Sequence, residues 1–192
     1  MSDKQITEEV KKALEIVRKG GIILYPTDTI WGIGCDATNN AAIDRIFQLK
    51  QRPDSKSMIT LLDDSAKLIK YVKEVPPMAW DLVDNATKPL TIIYPDVVNL
   101  ASGAIAPDGT AGIRVTGHEF CKNLIHKLGR PITSTSANLS GNPSPASFAE
   151  IDPDILHGVD YVVNLQKDET TPQQPSTIIK LGLNGTIQFI RK

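Results

Sequence analysis

Gly20-Gly21-Ile22-Ile23-Leu24-Tyr25-Pro26 is the stretch whose reading decides the fold class. Paired glycines end a helix readily, because glycine accepts the left-handed backbone of a helix C-terminus. Four consecutive apolar residues before a proline then suit a short strand buried on both faces. Upstream, Ile6, Val10, Ala13, Leu14 and Val17 recur at helical spacing, so residues 6–19 read as an amphipathic helix. Downstream, Asn39-Asn40 can cap a helix carrying Ala41, Ile43, Ile46, Phe47 and Leu49. A helix, a buried strand and a second helix are how an α/β chain begins.

The pattern continues outward. Residues 57–62 read as a strand and 64–72 as a helix; Pro76-Pro77 opens a further helix through Trp80 and Val83. Residues 90–94 and 111–115 read as strands, 118–128 as a helix ended by Gly129, and 131–136 as a strand. Residues 161–164, 177–181 and 186–190 are late strands, and Asn184-Gly185 between the last two predicts a type I′ hairpin. Helices and strands alternate early and strands crowd late. The expectation is α/β: one mixed, twisted sheet flanked by helices, in a single domain over residues 1–192. The polar segment 166–175 reads as a mobile loop.

With 192 residues, 41% hydrophobic and 22% charged, the chain has the composition of a globular domain with a sizeable core. Lys plus Arg number 21 and Asp plus Glu 22, a net charge of −1 that gives no bulk signal for nucleic acid or anionic membrane. Cys35 and Cys121 lie far apart with no metal-ligand spacing, and read as small buried hydrophobes in a reducing compartment. The polar N-terminus is unlike a signal peptide, and no apolar run reaches about 18 residues. A soluble, cytoplasmic protein with no membrane contact is expected.

Standard phosphate-binding motifs are missing: there is no P-loop, and Gly32-Ile33-Gly34 lacks the third glycine of a dinucleotide fingerprint. His118, His126 and His157 show no metal spacing. Three stretches stand out instead. Residues 25–34 put two threonine hydroxyls and two glycines after a strand, which suits either close approach to a ligand or a locally bonded turn. In Lys50-Gln51-Arg52-Pro53 an extended backbone would point both cations the same way, able to clamp a triphosphate; cations also favour a helix C-terminus on their own account. In Ser134-Thr135-Ser136-Ala137-Asn138-Leu139-Ser140-Gly141, a strand would send Ser134, Ser136 and Asn138 to one face, as ligand donors or as a polar turn.

Together these stretches resemble the YrdC-like family of threonylcarbamoyl-AMP synthases. That family is marked by Pro-Thr-[Glu/Asp]-Thr, Lys-x-Arg-Pro and Ser-x-Asn-x-Ser-Gly, here at residues 26–29, 50–53 and 136–141, with a further match at Pro175-Ser176-Thr177. The resemblance spans residues 21–191 and implies the YrdC-like (DHBP synthase-like) fold. It implies a reaction in which the amine of L-threonine takes up bicarbonate or CO2, the carbamate attacks the α-phosphate of ATP, and pyrophosphate leaves. The adenylate would pass to a partner tRNA threonylcarbamoyltransferase. By the same resemblance Lys50, Arg52, Ser136, Asn138 and Ser144 contact ATP, with Thr110 and Arg191 as further contacts, and Lys50 and Arg52 serve catalysis. Thr27, Arg114, Ser134 and Ser176 hold threonine, Arg114 being the natural partner of a carboxylate. A displacement of this type needs positioning and charge neutralisation more than a covalent nucleophile. Mg2+ would accompany the phosphates, with no dedicated protein ligand in the motifs. The alternative is a non-catalytic binder of tRNA or double-stranded RNA using the same concave surface. A carbamoyl-transfer enzyme like the related domain of hydrogenase maturation factors is a third reading, which the length disfavours.

Overall fold

A computed structural model describes residues 2–51, 58–169 and 174–192. Helix α1 (Asp3–Arg18) begins at Ser2, whose hydroxyl accepts from Gln5 N at 3.3 Å, and buries Ile6, Val10, Ala13 and Val17. Strand β1 (Ile23–Tyr25) follows, then β2 (Gly32–Gly34) and α2 (Asn40–Leu49), which Asn39 caps through Ala42 N at 3.2 Å. Next come β3 (Ile59–Leu62), α3 (Pro77–Asp84), β4 (Leu90–Tyr94), β5 (Ala111–Val115) and α4 (Glu119–Leu128). Gly129 ends α4 at φ +73°, the left-handed geometry that its position predicts. The chain finishes with β6 (Ile132–Ser136), α5 (Pro153–Gly158), β7 (Tyr161–Val162), β8 (Thr177–Leu181) and β9 (Ile187–Arg191).

The strands form one mixed sheet in the order β7-β1-β2-β6-β3-β5-β4-β8-β9. Pairs β1/β7, β3/β5 and β4/β8 run parallel and the others antiparallel, so the α/β reading with a mixed twisted sheet flanked by helices holds.

Side chains alternate between the two sheet faces, and that alternation places the site. On one face α1 and α4 pack Val10, Ala13, Phe120 and Leu124 against Ile23, Tyr25, Leu61 and Ile132. On the other, α2 and α5 pack Ile43, Ile46, Phe47 and Ile155 against Leu24 and Ile33, while Ala79 of α3 joins Ile92, Ile113, Ile179 and Leu181. The first face is only partly covered: beyond α1 and α4 its side chains look into a hollow. Glu9 ties α1 to the sheet edge, accepting from Tyr161 Oη at 2.6 Å and Asn164 N at 2.7 Å. Cys35 and Cys121 are both buried, as expected, and burial pushes the Cys35 thiol up to about 12.

Several local expectations are corrected. Gly32–Gly34, read as loop, is a strand between β1 and β6. Glycine is a poor strand former, but a Cβ on Gly34 would lie 2.0 Å from Thr133 O, so only glycine lets these strands approach. The helix expected over 64–72 is a 3-10 helix, Ser65–Lys70, in which Leu68 alone is buried; too little apolar surface docks to extend it. Helix α5 went unread, its Asp152 cap and Pro153 being the missed start signal. The last hairpin is not type I′: of its turn residues only Gly185 takes positive φ, and Gly185 N bonds back to Gly182 O at 3.0 Å across a longer loop.

Candidate functional site

Register delivers the hollow's lining. Ile59 of β3 pairs with Ser134, and Gly32 of β2 with Ser136, so both serines stand on the uncovered face of β6. A Cβ on Gly32 would sit 3.0 Å from Ser134 Oγ; its absence makes room for the hydroxyl. On β5, Gly112 and Arg114 share that face. Ser176 enters just before β8, Ile178 stands on β8, and Arg191 pairs with Ile178 across from β9. With Thr29, Ile30, Ser144 and Pro175, the side chains of Ile59, Arg114, Ser134, Ser136, Ser176, Ile178 and Arg191 line a cavity of about 280 Å³. Arg114, Ser134, Ser136, Ser144, Ser176 and Arg191, named as separate motif residues above, therefore meet in one place.

Arg114 is the charge at its floor, with 2% of its surface exposed. Its Nη1 donates to Thr29 Oγ1 at 3.1 Å, and its Nη2 lies 3.2 Å from Asp28 Oδ1. Its Nε is buried with no partner. Because Thr27 Oγ1 donates to Ile30 O at 2.8 Å, the proton between Thr29 Oγ1 and Thr27 Oγ1, 2.9 Å apart, belongs to Thr29. A relay thus runs from Arg114 through Thr29 and Thr27 to the loop backbone. Arg191 donates through Nε to Ser176 O at 2.9 Å and through Nη2 to Ser176 Oγ at 3.3 Å. Ser176 Oγ also lies 2.8 Å from Thr91 Oγ1. Burial, and then the charge of Arg114, holds the Arg191 guanidinium below its ordinary value. Two guanidiniums near one hollow repel each other, and an anionic ligand relieves that repulsion.

Lys50 stands beneath this surface. It is the C-cap of α2, it is 2% exposed, and its Nζ donates to Ser136 O and Asn138 O, with Asn138 Oδ1 at 3.3 Å. Gln51 takes φ +50°, so the extended geometry expected at this motif is absent. Asn138 turns its Nδ2 onto Asn142 O at 2.6 Å and Leu139 O at 3.0 Å, bracing the turn after β6 rather than lining the cavity. Thr27 spends its hydroxyl within its own loop, and Thr110 donates to Asp108 Oδ1 at 2.7 Å at the far end of β5. Arg52 lies outside the described residues, as do 170–173 of the loop expected over 166–175. Sequence reasoning quoted Thr29 and Asp28 within the 26–29 motif but gave neither a role. It also missed Ile59 and Ile178, whose apolar type gave no signal apart from core. Among the described residues, no group of three or more His, Cys, Asp or Glu side chains could hold a metal ion.

The family described as Telomere recombination (Sua5/YciO/YrdC) matches residues 15–192. A protein of Pseudoalteromonas translucida (strain TAC 125) named threonylcarbamoyl-AMP synthase is 34% identical over 190 residues, covering 97% of this chain and 98% of that one. The same name belongs to a Vibrio cholerae protein 35% identical over 149 residues, 76% of this chain and 79% of that one. Among solved structures, E. coli YciO superposes with a TM-score of 0.81 at 29% identity, covering 95% of this chain and 88% of the other. P. abyssi Sua5 complexed with L-threonine gives 0.77 at 29% identity, covering 90% of this chain and 50% of the other.

Proposed function

Because this chain belongs to the Sua5/YciO/YrdC family, we propose that it is an L-threonylcarbamoyladenylate synthase, converting L-threonine, bicarbonate or CO2, and ATP into threonylcarbamoyl-AMP and pyrophosphate. The observation that carries the reading is the buried Arg114 guanidinium, its Nε unpartnered, at the floor of a hydroxyl-lined hollow shared with Arg191. A small carboxylic acid fits that floor, since a desolvated guanidinium binds a carboxylate through paired, charge-assisted hydrogen bonds. Ser134 and Ser176 line the same hollow as Arg114 and would offer hydroxyls to the amine and side chain of threonine. Ser136, Ser144 and Arg191 line the same hollow and would meet the nucleotide.

The chemistry asks for little beyond this. The threonine nitrogen bonds to the carbon of CO2 and loses a proton, giving a carbamate. A carbamate oxygen then bonds to the α-phosphorus of ATP as the bond to the β-phosphate oxygen breaks, and pyrophosphate leaves with the electron pair. Alignment of the two reactants and fixed positive charge supply the rate enhancement in such a displacement, with no covalent nucleophile needed. Lys50, bound to Ser136 O and Asn138 O, would hold the nucleotide-side turn in shape, while Arg52 enters the proposal on the family motif alone. The hydroxyls and guanidiniums of the described lining offer Mg2+ no carboxylate, so the ion would enter on the phosphates of ATP. The product would serve a tRNA-modifying transferase.

Pyrophosphate release from ATP, measured with threonine and bicarbonate each supplied or withheld, tests the proposal. Dependence on both is the expected result. Release without threonine, or none under any condition, would overturn it.

A further inference from the structure

Asp28 touches the hollow only through another side chain, and no feature of the reaction above uses it. Its surroundings are nonetheless specific. Oδ2 accepts from Gly117 N at 3.2 Å, which fixes the carboxylate against the connection between β5 and α4. Oδ1 lies 3.2 Å from Arg114 Nη2 and accepts no aligned hydrogen bond, so the contact is an ion pair of charge and proximity. The side chain is 17% exposed, against 2% for Arg114.

We propose that Asp28 is a positioning residue: with Thr29 it clamps the Arg114 guanidinium so that the Nε edge of the fork keeps no protein partner and is left for the substrate carboxylate. The proposal rests on the functional reading above. A guanidinium has a terminal edge, made by its two Nη groups, and a side edge that includes Nε. In this chain the terminal edge is taken, Nη1 by Thr29 Oγ1 and Nη2 by Asp28. The unpartnered buried Nε belongs to the other edge. An arginine without such a clamp would have to order its long side chain when substrate arrives, losing affinity to entropy. A clamp anchored at both ends meets that cost during folding: Gly117 holds Asp28, and the Thr27–Ile30 link holds Thr29.

A carboxylate beside a carboxylate-binding arginine also repels the ligand, and this makes the inference falsifiable in sign. If Asp28 acted only as a charge, Asp28→Asn would lower KM for threonine. If it positions Arg114, the same variant raises KM for threonine about tenfold or more while KM for ATP stays within about twofold. Asp28→Glu, keeping the charge and one oxygen near Nη2, should recover most of the loss. A purely structural role predicts instead that both KM values rise together as the melting temperature falls.

A second arm needs no turnover. In the wild-type protein the Arg114 guanidinium, identified by NMR as the side-chain signal lost in Arg114→Lys, should show separate Nη resonances because rotation about its Cζ–Nε bond is hindered. Asp28→Asn should merge them. Should that variant not fold, Thr29→Val removes the Nη1 partner and reads the same clamp. Unchanged Arg114 signals in a folded variant, or a lowered KM for threonine, would overturn the inference. Absence of threonine-dependent turnover in the wild type would strike the functional reading instead, leaving the NMR result to decide the clamp.

Discussion

Arg114→Lys separates charge from geometry at the floor of the hollow. The substitution keeps one positive charge but replaces a planar fork with a single ammonium. Arg114 uses Nη1 on Thr29 and Nη2 on Asp28, and has Nε free; an ammonium on a shorter stem cannot reproduce all three directions. If it stays with Asp28, the substrate carboxylate loses a charge-assisted hydrogen bond of about 1.5–3 kcal/mol. At about 1.4 kcal/mol per factor of ten, KM for threonine should rise roughly 10- to 150-fold. KM for ATP should stay within about threefold, because the groups proposed to meet the nucleotide sit on β6, β9 and the loop carrying Ser144. Loss of the buried bond to Thr29 should cost about 1 kcal/mol of stability, lowering the melting temperature by about 2–4 °C. Steady-state pyrophosphate release and a thermal melt on the same preparation measure all three. A threonine KM within about threefold of wild type, or equal rises for threonine and ATP, would refute the assignment of Arg114 to the carboxylate.

Other expectations follow from the packing. Gly34→Ala forces a Cβ to within 2.0 Å of Thr133 O, so β2 and β6 must part; a loss of about 3 kcal/mol or more in chemical denaturation is expected, with Ser134 and Ser136 displaced and activity reduced. Burial pushes the Glu9 carboxyl up, but hydrogen bonds from Tyr161, Asn164 N and Lys12 together bring it below the ordinary carboxylate value. Its stabilising contribution is therefore present above the unfolded value of about 4.3 and fades as pH falls through the lower folded value, so a Glu9→Gln variant should lag wild type at neutral pH and converge with it in acid. Burial raises both thiols, Cys35 to about 12, so neither should react with a thiol reagent at neutral pH until denaturant is added. Rapid labelling of the native protein would count against the packing around β2 and α4.

Much of the architecture was legible because its signals are local. The α1 stripe, the Asn39 cap, the Pro77 start of α3 and Gly129 after α4 each state their structure within a few residues. The β2 strand was not legible, because Gly-Ile-Gly has little strand propensity of its own and is held extended between β1 and, about a hundred positions away, β6. The site divides the same way. Ser134 and Ser136 could be placed on one face by period-two alternation, but their continuation to Asn138 fails where the strand ends and the side chain turns back onto Asn142. Lys50 was expected from its motif as a cation facing a triphosphate; that it is buried with its Nζ on the carbonyls of Ser136 and Asn138 was not legible, since Gln51 leaves the extended region expected there. Asp28 stood in the 26–29 motif with no role attached; the partners that give it one here, Arg114 and Gly117, are both distant in sequence.

The last hairpin has one more implication. Every residue of β9 is exposed over much of its surface, yet the partly buried Arg191 guanidinium and its hold on Ser176 form one wall of the hollow. That wall lies at the edge of the sheet, with the least buried area to lose, so its amide protons should exchange through local openings well before those of β3, β5 and β6. Occupancy of the hollow would slow exchange in β8 and β9 selectively, and the far edge at β1 and β7 would keep its own rate.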